Sequence, residues 1–354
     1  MGNDREHNVL VIGNGYDLAH GLHTSYNDFI DFIRRVKDDD SIIVDEAERD
    51  FVNKCIRVNG FLSYFLAYTK EIAGWVDLEQ LIKEVSNLFG LFFSNFTHII
   101  DKESSISWDS VHTDMSENGK MRIINCLSMF PLFDRNYSRS YIHSFHLDKK
   151  YFTELFGLNK REILKLLKEQ LDEIICLLSI YLKNHMNEKR GSINKISQIE
   201  AIKPFYVISF NYTDTYKIYG IEPEDVFHVH GSLAEDNMVL GFNDENPENL
   251  DFVYFKKYFQ RIQKLTGYID ESRFSIVDDK EFEAYQPTVH FYGHSMDKTD
   301  EDVIKKLAHM ASKFVIYHYN QEDYEQKVIN LVDVFGKEDV MKMIEKGWIK
   351  FVAI

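Results

Sequence analysis

The run Val9-Leu10-Val11-Ile12, closed by Gly13-Asn14-Gly15-Tyr16-Asp17, is the stretch on which the fold turns. Four consecutive apolar residues ending in glycine read as a strand buried on both faces, the kind found inside parallel sheets. Gly13 and Gly15 permit backbone dihedrals and a close approach that other residues forbid, so the strand feeds a tight turn. Apolar residues then recur at helical spacing from Ser25 to Ile33, with Thr24 and Ser25 as caps. This is the opening βα step of a nucleotide-type fold, whose helix directs its N–H groups and positive dipole end towards an anion. The spacing Gly13-x-Gly15 then Gly21 departs from the GxGxxG of dehydrogenases, whose third glycine would fall at Leu18, so hydride transfer is not supported.

A β-rich pattern returns late in the chain. Phe205–Phe210, Val226–His230, Met238–Phe242, Val289–Tyr292 and Phe314–Tyr317 are strand-like runs, and Lys298–Ser312 between the last two is helical. Strands alternating with helices imply an α/β fold: a Rossmann-like, mostly parallel sheet with helices on its faces. Residues 41–197 differ, being rich in aromatics and poor in short β-branched runs. Their clearest helix spans Lys160 to Lys183, with Leu164, Leu167, Leu171, Ile174, Leu178 and Tyr181 as an apolar stripe that suits either packing within its own domain or a dimer seam. The expected organisation is therefore a discontinuous α/β domain from residues 1–40 and 198–354, with 41–197 as a helical insertion. The insertion is the surface expected to carry any homo-oligomer.

Charge narrows the function. Lys and Arg number 41 against 57 Asp and Glu, a net charge of −16 that disfavours general nucleic-acid binding. Three cysteines, Cys55, Cys126 and Cys176, stand far apart with no CxxC, which fits a reducing compartment and no zinc ribbon. No signal-peptide core precedes Gly13, and no apolar stretch approaches the ~18 to 20 residues of a membrane span, so a cytoplasmic protein is expected. Asp244–Asp251 reads as a solvated acidic loop.

In a parallel sheet ligands sit at the carboxyl ends of strands. The residues there are Gly13–Asp17, Asn211–Asp214, His230–Ser232, Gly241–Asp244 and Gly293–Asp297, five groups expected to converge on one edge. His228 and His230, two apart on a strand, face the same side, which allows a metal pair completed by aspartates or a single general base. His230, followed by Gly231 and Ser232, is the better base. Asn211 suits holding a water or ribose hydroxyl, and equally suits an Asx-turn or a cap.

The set Gly13-Asn14-Gly15-Tyr16-Asp17-Leu18-Ala19-His20-Gly21-Leu22 with Thr24-Ser25-Tyr26 resembles the opening signature of the AbiH family of bacterial phage abortive-infection proteins. Trp75–Glu79, Ser209–Thr213, His228–Ser232 and Tyr292–Ser295 resemble later motifs of that family, in the same order. The order is also similar to the sirtuin-like NAD-consuming fold. That resemblance implies Gly13, Asn14, Gly15 and Asp17 at the phosphates and ribose, Gly293 and Ser295 on the adenosine side, and Gly231 and Ser232 among the dinucleotide-binding residues. It implies Asn211 as the residue positioning water or the nicotinamide ribose, and His230 as the base. Asp214 is the third catalytic candidate, one place later than the Asp that sirtuins carry where this chain has Thr213, and His23 stands where they carry proline. The paired zinc cysteines of sirtuins are missing, so deacylation is not implied. What remains is cleavage of NAD to nicotinamide and ADP-ribose, with NAD as substrate, no resident cofactor or metal, and a phage component as trigger. A non-catalytic sensor of NAD or ADP-ribose and a metal-dependent phosphoesterase or nuclease are the alternatives.

Overall fold

The computed structural model describes residues 7–68, 78–96, 105–107, 116–133, 144–153, 157–189, 191–243, 250–267, 269–274, 276–277 and 284–354. Residues 75–77 of the Trp75–Glu79 motif and residues 244–249 of the acidic stretch lie outside them. The chain divides into two compact units, one of residues 1–25, 182–239 and 261–354, the other of residues 26–181 and 240–260.

The first unit is built on six strands: β1 (Asn8–Ile12), β2 (Tyr206–Ser209), β3 (Val226–His228), β4 (Thr288–Tyr292), β5 (Lys313–His318) and β6 (Ile349–Ala353). Every neighbouring pair is parallel, in the order β6-β5-β4-β1-β2-β3. This is the strand order of the doubly wound, Rossmann-like dinucleotide sheet. The winding reverses between β1 and β4, and ligands bind at the carboxyl ends of strands flanking such a point.

The side-chain period of two explains the double burial of β1. Val9 and Val11 enter one core with Ile208, Phe291 and Ile316, covered by Val303, Ile304 and Leu307 and by Leu331 and Val334. Leu10 and Ile12 enter the opposite core with Val207, Val315, Tyr16, Ile199 and Ile202. The covering residues belong to α1 (Asn14–Ala19), α2 (Ser197–Ile202), α3 (Glu301–Met310) and α4 (Gln321–Phe335). Each such side chain contributes roughly 1.5–3 kcal/mol on burial, so a strand buried on both faces is the natural centre of the sheet.

Register then aligns the strand ends. Ile12 lies level with Tyr292 and Ser209, and Ser209 with His228, so the turns that follow all leave the sheet at one height.

Four elements of the structure differ from the sequence pattern. A helix begins at Asn14, directly on β1, where a turn alone was expected before a helix near Ser25; the helix Tyr26–Asp38 follows separately. Met238–Phe242 is no strand: Phe242 makes one isolated bridge, to Lys256. The Gln260 carboxamide takes the partner's place instead, accepting from Leu240 N–H at 3.1 Å and donating to Leu240 O at 2.8 Å. The edge strand β6 carries no continuous apolar run, because exposed Lys350 interrupts its pattern. The expected helix Lys298–Ser312 opens as a 3-10 turn, Lys298–Asp300, before α3.

The second unit is largely helical, with Tyr26–Asp38, Glu46–Val58, Gly60–Tyr68, Leu78–Phe96, Glu117–Ser128 and the long helix Lys160–Lys189 up to residue 181. Leu167, Leu171, Ile174 and Leu178 of the apolar stripe are buried. Asn59 and Gln170 stitch a helix break to the long helix: Asn59 Nδ2 donates to Gln170 O, and Gly60 N–H to Gln170 Oε1, both at 2.8 Å. Among the described residues no helix is long and apolar enough to cross a membrane.

Candidate functional site

At the switch point the turns after β1 and β4 touch backbone to backbone. Gly15 N–H donates to Gly293 O at 2.9 Å, and Gly293 adopts a left-handed φ of 67°. A Cβ on Gly293 would lie 2.0 Å from Tyr16 N, and one on Gly13 or Gly15 would lie 2.8 Å from the Gly293–His294 backbone. The three glycines are therefore demanded by this contact, whatever ligand lies above it. The amides expected to face an anion are also engaged, Gly13 N–H with Tyr292 O and Tyr16 N–H with Gly13 O. Asn14 Oδ1 accepts from Thr24 Oγ1 at 2.7 Å, and the Tyr319 hydroxyl donates to Gly15 O at 2.6 Å. Ser295 is exposed, its carbonyl accepting from Asn330 Nδ2 at 2.8 Å.

One strand over, Asn211 locks the β1 and β2 turns together, its Nδ2 donating to Gly13 O at 3.0 Å. Thr213, where the sirtuin resemblance expects Asp, donates its hydroxyl to Asp17 Oδ2 at 2.6 Å, and Thr215 donates to Thr213 at 3.2 Å. Asp17 is 1% exposed and its Oδ1 has no hydrogen-bond partner. Burial pushes its carboxyl up to about 6, against the hydroxyls' opposing pull. Asp214 is separate from this group: it is half exposed and pairs with Lys217 at 2.7 Å. With Ser232, His228 and Tyr216 it lines a cavity of about 590 Å³.

His228 and His230 do not share a side. The strand ends at His228, and the chain turns before His230. His228 Nδ1 lies 3.1 Å from Asn211 O with its ring beside Tyr216, and burial lowers its pKa. The neutral ring therefore donates from Nδ1 to that carbonyl. His230 packs edge-on against Phe210, 5.4 Å between ring centroids. Gly231 makes the intervening bend with φ 75°, and Ser232 N–H donates to Asn237 Oδ1 at 2.8 Å. Among the described residues no group of three or more His, Cys, Asp or Glu is arranged to hold a metal ion.

His230 belongs instead to a buried ionic cluster that sequence reasoning missed. Its Nε2 lies 3.1 Å from Arg261 Nη2 and 3.3 Å from Asp300 Oδ1, while Asp300 Oδ2 faces His294 Nε2 at 3.7 Å. Arg261 also donates to Asp302 at 2.7 Å. His294 stood within the Gly293–Asp297 group, but nothing local marks Arg261 or Asp300, which look like ordinary helix residues.

Four of the five expected groups thus share the carboxyl edge: those opening at Gly13, Asn211, His230 and Gly293. Gly241 lies in the second unit, where a Cβ would meet Phe255 O at 2.3 Å. No curated protein and no solved structure matches the chain. Residues 9–320 match the family described as Bacteriophage abortive infection AbiH, a span holding the strand-end groups, the Asn211–Thr213 lock and the His230 cluster. The chain belongs to that AbiH family of bacteriophage abortive-infection proteins.

Proposed function

We propose that the chain serves abortive-infection defence as a sirtuin-like NAD glycohydrolase, cleaving NAD to nicotinamide and ADP-ribose. The observation that supports the reading is the gathering, in register at the switch point of a parallel sheet, of four polar strand-end groups. In this reading the dinucleotide lies along the edge over Asn14, Gly231–Ser232 and Gly293–Ser295. Gly13 and Gly15 act by letting the turns meet, and Asp17 acts from beneath by holding the Asn211–Asp214 loop through Thr213. Asn211 spends Nδ2 on Gly13 O, which leaves Oδ1 to accept from a water or a ribose hydroxyl. The bond between nicotinamide and ribose breaks with its electron pair leaving on nicotinamide. Water adds to the oxocarbenium-like ribose carbon as His230 takes its proton. Asp214, which lines the cavity, is the third catalytic candidate in this reading.

Purified protein is incubated with NAD, with and without lysate from phage-infected cells, and nicotinamide and ADP-ribose are followed by chromatography. Equal release of the two, lost in His230→Ala and Asn211→Ala, is the expected result. Full turnover by His230→Ala removes the mechanism. Calorimetric binding with NAD recovered intact in both conditions makes the site a sensor.

A further inference from the structure

The cavity of about 590 Å³ beside β3 is lined by residues between Lys183 and Glu235, and its size falls in the range of small-molecule sites. His228 stands in its wall with a fixed tautomer. Nδ1 donates to Asn211 O at 3.1 Å, so the lone pair of the neutral ring sits on Nε2. Among the described residues Nε2 makes no hydrogen bond, and it is not sealed from solvent. Burial lowers the pKa of the ring, against the opposing pull of the Asn211 carbonyl and of Glu235 and Asp214. At neutral pH Nε2 therefore only accepts.

Two more groups at the wall complete the pattern. Asp214 gives Oδ2 to Lys217 at 2.7 Å and keeps Oδ1 as a second acceptor. Ser232 Oγ accepts from Glu235 N–H at 3.2 Å, which leaves the hydroxyl proton to give. The charges balance, Asp214 and Glu235 against Lys183 and Lys217. A phosphate would face the lone pair and two carboxylates, and an ammonium would face two lysines. An uncharged group bearing hydroxyls can donate to Nε2 and Asp214 and accept from Ser232, because each hydroxyl does both.

We infer that this cavity is a ribose subsite, in which His228 Nε2 accepts from one sugar hydroxyl and Asp214 from its neighbour. The inference rests on reading the chain as one that binds NAD, and it makes His228 a residue that selects the ligand. Asn211 then serves the sugar through both of its ends. Its side chain closes on the β1 turn at Gly13 O, and its carbonyl sets the tautomer of His228.

The test titrates the full chain, labelled with 15N-histidine, with ADP-ribose, and uses His228→Leu to assign the ring. Expected is a shift of the His228 Nε2 resonance while Nδ1 stays protonated. By calorimetry, Kd for ADP-ribose rises about 10-fold in His228→Leu, the loss of one hydrogen bond. It returns to within about threefold of the wild type in His228→Gln, whose carbonyl oxygen reaches the place of Nε2. Repeating the comparison with ADP, which lacks the second ribose, tells the two sugars apart. A His228→Leu penalty kept with ADP puts the adenosine ribose in the cavity, and a penalty seen only with ADP-ribose puts the second ribose there. Thermal melts accompany each variant, and if His228→Leu does not fold, His228→Gln assigns the ring and the wild-type titration decides. An unmoved Nε2 resonance at saturation, an unchanged Kd in folded His228→Leu, or failure of ADP-ribose to bind the wild-type chain overturns the subsite. Binding through His228 with no release of nicotinamide from NAD keeps the subsite and ends the hydrolysis reading.

Discussion

Asp17 and Asp300 are both buried carboxylates beside the carboxyl ends of the central strands, and their surroundings differ in kind. Asp17, just after β1, accepts from the Thr213 hydroxyl on one oxygen and has no hydrogen bond on the other, with the Thr215 and Asn211 side chains acting on the same carboxyl. Asp300, after β4, faces a guanidinium at 3.8 Å and two imidazoles. Withdrawing a carboxylate from water costs several kcal/mol, which hydroxyls offset poorly and an opposite charge offsets well. The contrast teaches that residue type does not fix a side chain's surroundings at this edge; the partners supplied by distant parts of the chain do. Asp17 ties the β1 and β2 turns together through Thr213, and Asp300 lies among two imidazoles and a guanidinium.

Removing the cation from Asp300 is the strongest way to break the contrast. Arg261→Met keeps most of the aliphatic stem beside Gly267 but leaves Asp300 without its guanidinium. A loss of about 3–5 kcal/mol in urea denaturation is expected, because removing one partner of a buried ionic cluster is strongly destabilising. A loss below about 1 kcal/mol would mean that Arg261 adds little to the cluster around Asp300.

Asp17→Asn works in the opposite direction. The unfolded carboxyl ionises near 3.8 and the folded one near 6, so between those values the folded state binds the extra proton and stability falls as pH rises. The deficit is complete above the folded value. At about 1.36 kcal/mol per pH unit it reaches about 3 kcal/mol. Asp17→Asn is therefore expected to gain up to about 3 kcal/mol at pH 7.5 and little below pH 4, measured by denaturation across that range. A gain independent of pH would show that charge is not what Asp17 costs.

The smallest effect sharpens the comparison by leaving the buried cluster in place. The Asp302 side chain is 57% exposed, so Asp302→Asn should cost under about 1 kcal/mol, a difference that added salt erases.

Much of this was legible in local pattern. The apolar run before Gly13, the helix–strand alternation and the groups at Asn211, His230 and Gly293 are all local features that the period of a strand or the chemistry of a turn exposes. Met238–Phe242 has the composition of a strand and is none, because Gln260, 20 positions from Leu240, offers a carboxamide in place of a neighbouring strand. His228 and His230 part because the strand stops between them, and a two-residue period holds only while the strand lasts.

By itself the amino-acid sequence determined that Val9–Ile12 is a strand buried on both faces, since four successive apolar side chains leave neither face for water, while strand order put it at the centre of the sheet. It also determined which polar groups follow the strands. Only the tertiary structure decided that Gly13, Gly15 and Gly293 answer to one another across a 2.9 Å backbone contact, and that Asp17 would be left with an orphan oxygen. Only it brought Arg261 and Asp300 to His230. Such partners meet through strand order and helix placement, and electrostatics acts over ångströms of space while sequence patterns report only neighbours along the chain.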